Sequence, residues 1–177
     1  MFSGMLTVDG RLFDLNAPKA RDIDFAVIAT ALSHQCRYNG HVVAFYSVAE
    51  HSALLSDYFR LRDKPLQAKW AHVHDAAEAY VGDLIRPLKR SLPAFADAEA
   101  KVAAAIYDRL GLVGPMPDEV IEADRRIIAD EVARFVPAST WKPEGPPLGL
   151  RPYGMLPQAA RHLWWNRGRD LFGAAWK

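Results

Sequence analysis

Apolar residues recur along most of this chain at spacings of three and four, the period of a helix that buries one face. The first stretch departs from that period. Residues 1–21 read as a short hairpin or extended arm: Met5-Leu6-Thr7-Val8, a turn at Asp9-Gly10, then Arg11-Leu12-Phe13-Asp14-Leu15. The pattern then predicts a helix from about Ile23 to Ser33, capped by Asp22 or Asp24. A polar, glycine-containing loop covers His34 to Phe45. Ser47, with Glu50 three residues later, forms a capping box that opens a second helix ending near Arg60. Pro65 takes the favoured first-turn position of a third helix, which Gly82 closes. Pro93 opens a fourth helix that ends at Gly111, and Pro117-Asp118-Glu119 opens a fifth that ends before Pro137. Residues 137–157 carry six prolines and three glycines and predict a loop without regular structure. A sixth helix runs from about Pro157 to Phe172. With no internal repeat or low-complexity tract, the expectation is one all-α domain over residues 1–177: a bundle of about six helices with a short N-terminal hairpin or extended arm.

Four polar residues break the apolar stripes. Asp124 has Val120 and Ile121 behind it and Ile127 and Ile128 ahead, so it lies within the apolar stripe of its helix. His51 follows Val48 and precedes Leu54 and Leu55. His74 follows Trp70 and Ala71, precedes Ala77, and is adjacent to Asp75; Glu78 falls on the His74 face. A buried imidazole beside a buried carboxylate is costly unless each finds a partner, and a divalent cation satisfies both. Two imidazoles and two carboxylates, His51, His74, Asp75 and Asp124, suit one borderline transition metal (Mn, Co, Fe, Ni or Zn) with water in its open positions. A single inward histidine is ordinarily a core residue bonded to a backbone carbonyl. The joint occurrence on three helices, with Glu78 and Asp83 close by, favours the metal. His72 lies off the His74 face and reads as structural.

The segments Phe45-Tyr46-Ser47-Val48-Ala49-Glu50-His51-Ser52 and His74-Asp75-Ala76-Ala77-Glu78-Ala79-Tyr80-Val81-Gly82-Asp83 resemble the HD-domain superfamily of metal-dependent phosphohydrolases. Within it they are most similar to the branch of bacterial 5′-deoxynucleotidases, over about Ala31 to Glu131. The resemblance implies an HD-type helical bundle with His51, His74, Asp75 and Asp124 as metal ligands. It implies Glu78 and Asp83 as the groups that handle the attacking water and the phosphate, and Arg37 as a phosphate-binding arginine. The interval from His51 to His74 is short for that branch, which trims the loop Leu61-Arg62-Asp63-Lys64-Pro65 at the site mouth.

The loop His34-Gln35-Cys36-Arg37-Tyr38-Asn39-Gly40-His41 reads either as a polar surface loop or as a phosphate and sugar clamp. The resemblance at Arg37 favours the clamp, since a guanidinium grips phosphate oxygens in a bidentate fork. Tyr38 and His41 are the neighbouring substrate-binding candidates, with His34 beside them. Lys89, and Arg86 before it, either hold phosphates or form a solvated basic turn.

Composition narrows the remaining possibilities. The formal net charge is +1, from 22 basic and 21 acidic residues, so no general nucleic-acid or membrane-surface affinity is advertised. The single cysteine, Cys36, precludes an internal disulfide and fits a reducing cytoplasm. The opening Met1-Phe2-Ser3-Gly4-Met5-Leu6 has no signal-peptide pattern, and no apolar run approaches membrane-spanning length. The segment Arg151 to Lys177 is basic and contains Trp164, Trp165 and Trp176. Such tryptophans either seal a core or subunit contact or bind nucleic acid, and the former is favoured, which leaves a homo-oligomer open. No His-Glu-x-x-His, paired Glu-x-x-His or phosphate-binding glycine loop is present. The expected function is metal-dependent hydrolysis of a nucleotide, with a deoxynucleoside 5′-monophosphate as first choice and a deoxynucleoside triphosphate triphosphohydrolase as runner-up. A metal-binding nucleotide sensor without turnover is the alternative of another class. No stable nucleic-acid partner and no membrane partner is expected.

Overall fold

The computed structural model describes residues 4–177, and the first three residues of the N-terminal arm lie outside that range. The fold is an all-α bundle with one small hairpin. Strand β1 (Met5–Leu6) pairs antiparallel with β2 (Leu12–Phe13), Met5 opposite Phe13. Gly10, at φ 81°, supplies the left-handed turn that returns the chain.

The six expected helices are present as α1 (Phe25–His34), α2 (Val48–Arg60), α3 (Pro65–Val73), α6 (Pro93–Leu110), α7 (Asp118–Phe135) and α8 (Pro157–Phe172). Asp24 caps α1, its carboxylate accepting from the N–H groups of Ala26 and Val27. Ser47 caps α2 through the Glu50 N–H, and prolines open α3, α6 and α8.

Three local expectations need correction. The helix predicted from Pro65 to Gly82 ends at Val73 and resumes as the short α4 (Glu78–Val81). A second short helix, α5 (Arg86–Arg90), follows it. Glu50 does not complete a capping box. Its carboxylate accepts instead from the main-chain N–H groups of Tyr153, Gly154 and Met155 at 2.6, 3.1 and 2.7 Å. Residue 50 therefore ties the otherwise irregular segment before α8 to the helix that carries His51.

Helices α2 and α3 form the central pair. α8 lies across α1, α2 and α3, and α7 packs against α2 and α3 on another side. One apolar cluster joins Phe25, Ile28, Leu32, Val73, Ile106 and Trp164; a second joins Leu55, Phe59, Trp70, Val120 and Ile127. The C-terminal tryptophans are core material. Trp164 and Trp176 are buried, and Trp176 stacks on Phe25 with ring centroids 4.2 Å apart. Trp176 also lies so close over Gly168 that a Cβ there would sit 2.0 Å from its ring. His72, read as structural, is buried and stacked on Trp164, whose indole N–H donates to the His72 carbonyl. Among the described residues no helix is long and apolar enough to cross a membrane.

Candidate metal centre

The centre forms where the C-terminal end of α3, the first turn of α2 and the N-terminal half of α7 meet. Adjacent residues of a regular α-helix diverge by about 100°, so His74 and Asp75 could not both aim at one point from an unbroken helix. The chain solves this by tightening after Val73. Ala76 N–H bonds Val73 O and Glu78 N–H bonds Asp75 O, i→i+3 bonds of 3₁₀ type. His74 Nε2 and Asp75 Oδ2 are then 3.1 Å apart. The break in the predicted helix is thus the feature that lets two consecutive side chains serve one site.

Four donor atoms converge. His51 Nε2 lies 3.3 Å from His74 Nε2, 3.5 Å from Asp75 Oδ2 and 3.3 Å from Asp124 Oδ1. His74 Nε2 lies 3.6 Å from Asp124 Oδ1. His51, His74 and Asp124 form the tightest group, each offering an atom within 4.8 Å of the others. Asp75 joins through the two imidazoles. Neighbouring ligands held at ~2.0–2.2 Å by one ion stand roughly 3–3.5 Å apart, so these separations fit a shared cation.

The tautomers support the same conclusion. His51 Nδ1 faces Glu131 Oε1 at 2.6 Å and His74 Nδ1 faces the Ala71 carbonyl at 2.9 Å. Both partners only accept, so each Nδ1 carries its proton and donates it. The two Nε2 atoms are left opposing each other at 3.3 Å. Both neutral, they would set two lone pairs head to head; both protonated, two N–H groups; a single proton shared between them relieves the conflict, as does a cation. The backing of each imidazole by an acceptor is the usual arrangement behind metal-bound histidine.

Electrostatics points the same way. Burial opposes the charge on His74, yet Asp75 and Asp124 drive its pKa well above the ordinary value. Burial and Arg37 pull His51 down, but Glu131 and Asp124 outweigh them and the net direction is up. Burial would raise the carboxyls, whereas the imidazoles hold Asp75 down to about 2 and Asp124 well below its usual range. The carboxylates favour positive charge in the cluster, carried by the imidazoles or by a bound cation.

Glu131 organises this site, and the sequence reading passed over it. It is fully buried on α7 and accepts from His51 Nδ1, from Tyr46 Oη at 2.9 Å, from the Tyr38 hydroxyl and from Arg37 Nη2 at 3.4 Å. Burial alone would raise its pKa, but Arg37, His51 and these hydrogen bonds hold it down to about 2. A signal was available. Glu131 lies seven residues after Asp124, between Ile127 and Phe135 on the same apolar stripe.

Arg37 bridges the ligand and its support, with Nη1 3.4 Å from Asp75 Oδ2 and Nη2 on Glu131. Its position is fixed by the Arg37 N–H bond to the Tyr46 carbonyl and by a turn in which Tyr38 and Asn39 adopt left-handed φ of 57° and 55°. Non-glycine residues avoid that region, and the Tyr38–Glu131 hydrogen bond holds the turn in place.

The centre opens into a cleft of about 740 Å³ whose lining includes Arg37, Tyr38, Asp75, Glu78, Asp83 and Asp124. Arg86, Lys89, Arg90, Arg125, Trp141 and Glu144 line it as well. Arg86 donates to Asp124 Oδ2 at 2.6 Å, leaving Oδ1 toward the imidazoles; Lys89 pairs with Glu99. Glu78 Oε2 is buried with no hydrogen-bond partner, and burial followed by the charges of Asp75 and Asp83 raises its pKa well above the ordinary value. Burial raises Asp83 as well. His41 and His34 are not brought to the cleft. Both are exposed; His41 closes the turn through its main-chain N–H, and His34 Nδ1 bonds the Thr30 carbonyl.

No model of a known protein family matches the chain. It is 38% identical over 126 residues to the uncharacterized protein YfdR of Escherichia coli (strain K12), covering 71% of this chain and 68% of YfdR. It is 31% identical over 153 residues to the uncharacterized protein RCAP_rcc00048 of Rhodobacter capsulatus, covering 79% of this chain and 78% of that protein. Identity of that order across more than two thirds of both relatives means that the chain belongs to the family of YfdR and RCAP_rcc00048.

Proposed function

We propose that this protein is an HD-type metal-dependent phosphohydrolase whose substrate is a nucleotide, with a deoxynucleoside 5′-monophosphate as first choice. The observation that carries the proposal is the convergence of His51, His74, Asp75 and Asp124 at the floor of a cleft that also holds Arg37, Glu78 and Asp83. One divalent transition ion held by those four residues would supply a Lewis acid for a phosphoryl oxygen and lower the pKa of a bound water.

The remaining chemistry belongs to side chains. Arg37 lines the cleft while Asp75 and Glu131 fix its orientation, so it can hold a phosphate and offset its developing charge. Glu78 binds a proton more tightly than an ordinary carboxyl, which suits a group that takes a proton from water and returns it to the departing oxygen. Asp83, also raised by burial and lining the same cleft, would orient the water.

The triphosphohydrolase reading draws support from Arg86, Lys89, Arg90 and Arg125, which give the same cleft cations beyond Arg37 for further phosphates. The silent-sensor reading is opposed by the presence of Glu78 and Asp83 beside the ligands. The test is a screen of phosphorylated metabolites with Mn, Co, Fe, Ni and Zn that reads both orthophosphate and triphosphate release. Orthophosphate from deoxynucleoside monophosphates supports the proposal, and triphosphate release favours the runner-up. No product with any metal overturns both.

A further inference from the structure

The mechanism above leaves two residues of the cleft lining without a role. They are Trp141 and Glu144, on the proline-rich segment between α7 and α8. Trp141 is 58% exposed, whereas Trp164 and Trp176 are buried in the core. A large indole held open on a cleft wall is unusual, since an exposed aromatic surface beside a concave site marks a place where something apolar is received.

The segment that presents Trp141 is anchored. Asp130 accepts from the N–H groups of Leu148 and Gly149 at 2.8 and 3.1 Å, and Arg126 donates to the carbonyls of Pro146 and Pro147. Ser139 Oγ bonds the main chain of Trp141 at both N–H and carbonyl. Asp130 and Arg126 lie on α7, the helix that carries Asp124 and Glu131. The segment that carries the indole is therefore tied to the helix that carries Asp124.

Arg37, Arg86, Lys89, Arg90 and Arg125 give the cleft cations that draw a phosphate. Glu144, which has no salt-bridge or hydrogen-bond partner among the described residues, leaves an acceptor free for ring N–H groups.

We propose that Trp141 is a stacking platform for the nucleobase and so determines specificity, selecting nucleotides over phosphate esters that lack a planar ring. This rests on the phosphohydrolase reading for the position of the phosphate but concerns a different residue of the cleft lining.

The experiment compares deoxyadenosine 5′-monophosphate with deoxyribose 5-phosphate on the metal-loaded wild type, Trp141→Ala and Trp141→Phe. Stacking of a base on an aromatic side chain is worth enough that its loss should raise KM for the nucleotide about 5- to 100-fold, with kcat little changed. The preference for the nucleotide over the ringless phosphate should collapse in Trp141→Ala and largely survive in Trp141→Phe. Equal losses on both compounds, or no loss on either, would overturn the platform. Calorimetric Kd values for the same two compounds separate the two claims. Ring preference in binding without phosphate release contradicts the hydrolase and keeps the platform. Hydrolysis of both compounds with no ring preference keeps the hydrolase and overturns the platform, and binding of neither overturns both.

Discussion

Replacing Glu131 by Gln should damage stability and metal binding together, although Glu131 is not itself placed as a ligand. Its carboxylate serves four donors at once: His51 Nδ1, the hydroxyls of Tyr38 and Tyr46, and Arg37 Nη2. An amide retains one acceptor oxygen and turns an NH₂ donor toward groups that also donate. It also leaves the buried Arg37 charge with Asp75 as its main counter-ion. The magnitude can be reached in two ways. A carboxyl that titrates near 4.5 when unfolded and at about 2 when folded makes the fold more stable by about 3 kcal/mol at neutral pH. Breaking a buried ion pair by removing one partner costs about 3–5 kcal/mol. The prediction is therefore a loss of about 3 kcal/mol in the metal-free protein at pH 7, read by urea denaturation. Because the folded pKa is depressed, the Glu131 contribution is complete above about pH 4.5 and disappears as the pH falls toward 2. The gap between wild type and Glu131→Gln should narrow over that window. Loss of the carboxylate behind His51 should also weaken metal affinity by roughly 10–100-fold. A variant within about 0.5 kcal/mol of wild type at pH 7, with unchanged metal affinity, would refute the assignment of Glu131 as the organising group.

Glu78→Gln should keep metal and fold but reduce turnover by about 10²–10⁴-fold, measured as kcat on the best phosphate ester alongside metal content; near-normal turnover would remove its proton-transfer role. Arg37→Lys keeps the charge and loses the planar fork, so kcat/KM should fall several-fold or more at constant metal content. On a monophosphate kcat should fall with affinity, whereas on a triphosphate cleaved at a remote bond KM should carry more of the loss. Gly168→Ala should destabilise the fold by about 1–3 kcal/mol in thermal melts, because the new methyl meets the Trp176 ring and Trp176 is itself packed on Phe25 and Phe172.

Helix boundaries were legible wherever local chemistry marks them. Asp24 and Ser47 cap, Pro65, Pro93 and Pro157 open, and Gly111 closes, and the structure follows these marks closely. The convergence of His51, His74 and Asp124 was legible because each breaks an apolar stripe, whereas Asp75 was marked only by its place next to His74. The interruption after Val73 was not. Val73-His74-Asp75-Ala76-Ala77 contains no proline or glycine, and its tightening reflects tertiary demands at the centre, which no local propensity encodes. Glu50 illustrates a different loss: a residue well suited to a capping box was claimed by three N–H groups over a hundred positions away. Glu131 obeys the same stripe rule as Asp124, yet its partners Arg37, Tyr38, Tyr46 and His51 come from two distant segments that only the fold assembles.

The central claim is that four side chains from α2, α7 and the turn after α3 share one cation, and metal stoichiometry tests it most directly. Protein stripped with chelator, reconstituted in turn with Mn, Co, Fe, Ni and Zn, and analysed for bound metal should retain about one ion per chain with its preferred metal. His74→Ala and Asp75→Ala, assayed identically, should retain none. Wild-type protein that holds no metal under any of these conditions, or variants that bind as well as wild type, would contradict the account.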